Sequence, residues 1–227
     1  MDFRFKDILK NILPGLLLLI VFIVSIVLSV GYEYFVVHYL TPWKNYQQII
    51  LIVLLAFAYM LGYLIDGLAS YAEYYIIYKY FGTPTLFLLR GKRHRYYLAN
   101  FQNVLNNLTI NYNLNNDDVN LNGSHMLNVK KAFKLFKQAN QLRNKCESKE
   151  RNERAEEFYL SYVFARNFLC AYTIAIIIIV SDFHKQLSLW MYCTFFVLEL
   201  ILFARRRAKS YYYSREVLSI SSFQKYV

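Results

Sequence analysis

The chain has 227 residues, 57% of them hydrophobic and 19% aromatic, and a formal charge of +11. So apolar a chain is not an ordinary water-soluble domain, and its positive charge suits a helical membrane protein with basic flanks. Three cysteines (Cys146, Cys170, Cys193), odd in number and without C-x-x-C spacing, argue against a disulfide framework or metal site and for free thiols.

Residues 1–13 read as a small amphipathic helix lying in the headgroup plane. Phe5, Ile8, Leu9, Ile12 and Leu13 fall on one face, and Arg4, Lys6, Asp7 and Lys10 on the other. Pro14 and Gly15 then turn the chain into the first span. The uncharged runs Asn11–Tyr32 and Asn45–Ile65 hold 22 and 21 residues, each roughly 30 Å as a helix and thus a bilayer's hydrocarbon thickness. The first run has no small-x-small cleavage site and is followed closely by the second, so it reads as a retained helix rather than a signal peptide.

The second span predicts a helix from about Tyr46 to Phe81, stopped by Gly82-Thr83-Pro84 and projecting beyond the membrane. On that projection Asp66, Ser70, Glu73 and Ile77 share one face; Tyr71, Tyr74, Tyr75 and Tyr78 share the other. Residues 82–157 form a cytoplasmic region. It opens with the basic-aromatic run Arg90–Tyr97, continues through an asparagine-rich stretch, and ends in a charged helix leading toward the third span. No Gly or Pro interrupts Leu127–Val180, so one long helix or two stacked ones satisfy the pattern.

Asn167–Ser181 and Gln186–Ala204 supply spans three and four within 158–209, joined by a tight connection. Residues 210–227 form a cytoplasmic tail expected to dock onto the cytoplasmic region. Of the 26 Lys and Arg, 24 lie on one side of this arrangement; Lys44 and Lys185 occupy the two short loops. That bias places both termini and the central region in the cytoplasm. The fold class is therefore an all-α membrane protein with four transmembrane helices, an N-terminal interfacial helix and a helical cytoplasmic region.

Catalytic patterns such as H-E-x-x-H, G-x-S-x-G and a phosphate-cradling glycine loop are absent, and the four histidines are scattered. The expectation is a non-enzyme without cofactor or metal. Polar residues in the spans are more informative, because hydrocarbon penalises them unless they are paired or hydrated. Asp66, Arg166, Asn167 and Glu199 are expected at similar depth. They form either a polar cluster coupling the cytoplasmic region to the bundle, or a salt bridge of Arg166 with Glu199 or Asp66 that fixes helix register. Ser25, Ser29, Tyr32 and Glu33 lie on one face of span one. In an oligomer that face would line a pore with a ring of Glu33 carboxylates; otherwise it packs on a neighbour.

The run Arg90, Lys92, Arg93, Arg95 and Tyr96 admits contact with anionic lipid, binding of a nucleotide or oligonucleotide, or a protein partner. Arg205-Arg206-Arg207-Ala208-Lys209 with Tyr211-Tyr212-Tyr213 repeats that composition beside a span and reads as a lipid anchor.

Gly62-Tyr63-Leu64-Ile65-Asp66, Phe81-Gly82-Thr83-Pro84 and Arg166-Asn167 opening a span give a layout that resembles small four-span membrane proteins of bacterial anti-phage defence systems. The Hailong membrane effectors resemble it in size and layout; the Kiwa membrane component is a second candidate. The resemblance implies a homo-oligomeric channel in the bacterial inner membrane, regulated by an oligonucleotide that a partner nucleotidyltransferase makes. A non-conducting scaffold or sensor that recruits a cytoplasmic partner is the alternative.

Overall fold

The computed structural model describes residues 5–89, 136–137, 139–141 and 149–223, and no strand occurs among them. In chain order the elements are α1 (Phe5–Val30), α2 (Tyr32–Phe35), a π-helical turn (Val36–Leu40), a 3-10 segment (Thr41–Tyr46), α3 (Gln47–Ala72), a second π-helical turn (Glu73–Ile77), α4 (Tyr78–Phe81), α5 (Pro84–Leu89), α6 (Lys149–Phe183) and α7 (Leu189–Phe223). Among the described residues, three helical stretches are long and apolar enough to cross a bilayer: Ile8–Val30, Lys44–Tyr80 and Asn152–Phe183. This set is compatible with a multi-pass membrane protein. The expected fourth span falls on α7, where the apolar part Leu189–Ala204 contains Glu199 and gives way to three arginines.

The chain divides into two compact units, Met1–Ala72 with Val163–Arg206, and Glu73–Tyr162 with Arg207–Val227. In the first, Leu18, Ile65, Ala171 and Ala175 are buried together, with Leu17, Val21, Cys170 and Ile174 packed around them. Small residues let α1 and α3 meet backbone to backbone. A methyl group added at Gly15 would overlap the Ala58 carbonyl, and one at Gly62 would overlap the Asn11 carbonyl. Asn11/Gly15 and Ala58/Gly62 are each spaced i, i+4, so the two helices interlock along one row.

The turn expected at Pro14-Gly15 does not occur. α1 runs unbroken from Phe5 to Val30 with Pro14 inside it, and the separate interfacial helix over 1–13 is replaced by the first turns of one long helix. Proline removes one backbone donor, and both Pro14 and Gly15 are buried in the packed stretch of α1. The break comes instead at Gly31, whose φ of 89° lies where L-residues are rare. Gly31 still donates to the Val27 carbonyl at 2.9 Å and accepts from Phe35 at 3.0 Å, so the helix kinks and resumes.

The expected helix from about Tyr46 to Phe81 is present, but with a π turn inserted at Glu73–Ile77. It stops at Gly82, whose φ is +71°, and Pro84 opens α5.

The second unit has a buried core of its own. Leu88, Ala139, Ala155, Val217 and Leu218 are fully buried, and Tyr211 nearly so. The segment expected as a docking tail is continuous α-helix up to Phe223. It belongs to this unit as a core helix, not as an appendage, because Val217, Leu218 and Ile220 give it an apolar face to bury.

Candidate functional site

In the first unit, α3 and α6 are tied by Arg166, whose Nη2 donates to Asp66 Oδ1 at 2.5 Å while its Nε donates to Asn167 Oδ1 at 3.3 Å. Asn167 is wholly buried, and its Nδ2 finds no hydrogen-bond acceptor. Of the four residues expected to cluster, Asp66, Arg166 and Asn167 come together. Glu199 is instead engaged by Thr173, whose hydroxyl donates to Glu199 Oε1 at 2.6 Å from two turns along α6. Residues seven apart lie nearly above one another on a helix, so Arg166 and Thr173 share a stripe of α6, one turned to α3 and the other to α7.

The face of Ser25, Ser29, Tyr32 and Glu33 is interrupted. Ser25 and Ser29 stand on α1, whereas Tyr32 and Glu33 lie beyond the kink at Gly31 on α2. The positive φ of Gly31 rotates α2 relative to α1, so the four residues do not form one continuous helical stripe. Ser25 donates to Asp182 near the end of α6, and Ser29 donates back to the Ser25 carbonyl at 2.8 Å. Tyr32 and Glu33 are exposed. Cys170 and Cys193 carry free thiols. No group of three or more His, Cys, Asp or Glu that could hold a metal ion occurs among the described residues.

The second unit contains a pocket the sequence did not announce. A cavity of about 80 Å³ is lined by Tyr78, Thr83, Pro84, Phe136, Tyr162, Ser210, Tyr213 and Ser214. The π turn sets one wall. In a π turn the residue five positions on lies over the first, so Tyr78 comes round to the side of Glu73 and leaves the face of Tyr71, Tyr74 and Tyr75. Those three tyrosines stay exposed, while Glu73 is 3% exposed. Tyr162 ties the two together, its hydroxyl donating to Glu73 Oε2 and lying 3.4 Å from the Tyr78 hydroxyl. The expected pairing of Glu73 with Ile77 on one face, and of Tyr78 with the other tyrosines, is thereby corrected.

The opposite wall is α7. Tyr213 stacks parallel to Tyr162 with ring centroids 6.2 Å apart, meets Phe136 edge-on at 6.0 Å, and reaches Asn140 Oδ1 at 3.5 Å. Gly82 and Pro84 turn the chain so that Thr83 closes a third side. Tyr211-Tyr212-Tyr213, expected as a lipid anchor, instead packs against rings of this unit, with Tyr211 buried and Tyr212 and Tyr213 half-buried. Tyr211 is 1% exposed and faces Phe87, and Tyr212 stacks on Phe158. Arg207 lies over the Phe87 ring, and further along α7 Arg215 pairs with Glu216 at 3.0 Å and sits over Tyr212. The basic-aromatic residues Arg90, Lys92, Arg93, Arg95 and Tyr96 lie outside the described residues.

Comparison with protein-family models, with curated proteins and with solved structures gives no match to this chain. The likeness to the small defence-locus membrane proteins thus rests on layout alone.

Proposed function

We propose that this is a homo-oligomeric, ligand-gated ion channel of the bacterial inner membrane, with four spans per subunit, cytoplasmic termini, and the second unit as the cytoplasmic ligand-reading part. One observation carries the reading. The helices that contain the apolar stretches Lys44–Tyr80 and Asn152–Phe183, and α7, each contribute a segment of their own chain to the second unit. A ligand that shifts this unit therefore acts on those helices directly. Leu189–Ala204 serves as the fourth span, with Glu199 hydrogen-bonded by Thr173. Gathering 24 of the 26 Lys and Arg away from the connectors supports the orientation. Exposed Glu33 supplies the carboxylate ring at the outer mouth.

The anionic trigger binds the run Arg90–Arg95 with Tyr96, as an oligonucleotide from a partner nucleotidyltransferase would. The setting in anti-phage defence follows from the resemblance in layout. Expression should depolarise cells, and Glu33→Gln should change the ion preference of the purified protein in planar bilayers. A membrane potential untouched by expression overturns the channel. A non-conducting scaffold is the second reading, favoured by the exposed row Tyr71, Tyr74, Tyr75 and Tyr80. It predicts co-purification of a cytoplasmic partner that survives substitutions in α1.

A further inference from the structure

We propose that the tyrosine pocket of the second unit binds a small organic ammonium ion. The site goes beyond the channel reading and stands whether or not the protein conducts. Four of the eight described lining residues are aromatic, namely Tyr78, Phe136, Tyr162 and Tyr213, and they come from four separate segments of the chain. Their rings present negative π faces, which attract cations and repel anions. The hydroxyls of Ser210, Ser214 and Thr83 line the same space, and a hydroxyl oxygen accepts from an ammonium N–H. Behind the Tyr162 wall lies the buried carboxylate of Glu73, held by the Tyr162 hydroxyl.

The described lining residues include no Lys or Arg and themselves offer a phosphate no countercharge. Size points the same way, since a cavity of about 80 Å³ holds a headgroup of a few heavy atoms and not a base with its sugar. The π turn is the device that builds the site, because an uninterrupted α-helix would carry Tyr78 away from Tyr162. Such turns occur frequently at functional sites.

The ammonium could be a soluble amine or the ethanolamine headgroup of a lipid, and both share this chemistry. The test uses the full-length protein in phosphatidylglycerol nanodiscs, with choline as probe and its neutral isostere 3,3-dimethylbutan-1-ol as control, followed by calorimetry. Choline should bind at least tenfold more tightly than the neutral alcohol. Tyr213→Leu should lose roughly tenfold in choline affinity, whereas Tyr213→Phe, which keeps the π face, should stay within about threefold. Because Tyr213→Leu also removes packing, Ser214→Ala serves as a second variant, with an expected loss of several-fold and an unchanged melting temperature. Adding phosphatidylethanolamine to the nanodiscs should weaken choline binding if the natural occupant is the lipid headgroup, and leave it unchanged if it is a soluble amine. Equal affinity for choline and the alcohol, or no binding of choline to the wild-type protein, overturns the proposal.

Discussion

The hydroxyl of Tyr162 donates to the carboxylate of Glu73 across 89 positions of sequence, and both residues are buried. This bond joins α6 to the π turn at the end of α3. A buried hydrogen bond contributes about 0.5–1.5 kcal/mol, and about 1.5–3 kcal/mol where one partner is charged. Tyr162→Phe keeps the ring stack on Tyr213 and deletes only the donor. It should lower the stability of the purified protein by about 1–3 kcal/mol in denaturant unfolding, and an unchanged midpoint would show that the bond contributes nothing. Deleting Ile76 should restore α-helical register through Glu73–Ile77 and carry Tyr78 out of the cavity wall, which tyrosine-to-tyrosine contacts in NMR spectra would report.

Arg166 and Asp66 form a pair whose side chains are 12% and 33% exposed. The arginine is nearly buried, so Asp66→Asn removes the carboxylate its guanidinium pairs with. The partly exposed carboxylate places the expected loss at about 1–3 kcal/mol, below the figure for a fully buried pair. A double-mutant cycle with Arg166→Gln should show coupling of about 1 kcal/mol or more; additivity would reduce the bridge to a bystander.

The crossing of α1 and α3 separates three glycines by experiment. Gly15 and Gly62 face backbone directly, whereas a side chain at Gly67 would meet nothing within 4 Å. Gly15→Leu and Gly62→Leu should force the helices apart and cost several kcal/mol, on the order of the larger overpacking penalties. Gly67→Ala should be neutral or stabilising by up to about 1 kcal/mol through helix propensity. Equal tolerance at all three positions in a thermal-unfolding series would rule out the close crossing.

Two backbone positions require glycine for conformation. At Gly31 an added side chain meets open space, so alanine there costs only the strained dihedral, about 1–3 kcal/mol. At Gly82 it would also press within 2.9 Å of the Phe87 ring. Gly82→Ala should therefore be the more damaging, and should also disturb the pocket wall formed by Thr83 and Pro84. Chemical-shift changes confined to α5 and the pocket would confirm the second effect.

The elements were legible because their causes are local. Unbroken apolar runs of bilayer length name α1, α3 and α6 without reference to any partner, and Gly82-Thr83-Pro84 stops a helix wherever it occurs. That Arg166 needs an acid was legible too, since a cation in an apolar segment is costly unless paired, but Glu199 and Asp66 were equally eligible in the sequence. The pocket was not. It depends on one extra residue accommodated in the turn Glu73–Ile77, which nothing in Glu-Tyr-Tyr-Ile-Ile announces, and on Tyr162 and Tyr213, separated by most of two helices. Read locally, Tyr211-Tyr212-Tyr213 beside three arginines looks like an interfacial anchor. Only when α6 and α7 lie antiparallel in the second unit do those rings acquire Phe158, Tyr162 and Phe87 as neighbours. Hydrophobic length and charge sign are properties of a segment, so the sequence by itself determined a helical membrane protein with basic ends. Register and packing are properties of pairs of segments, so the tertiary structure alone decided where α1 bends, which acid Arg166 meets, and that a tyrosine cage stands over Glu73.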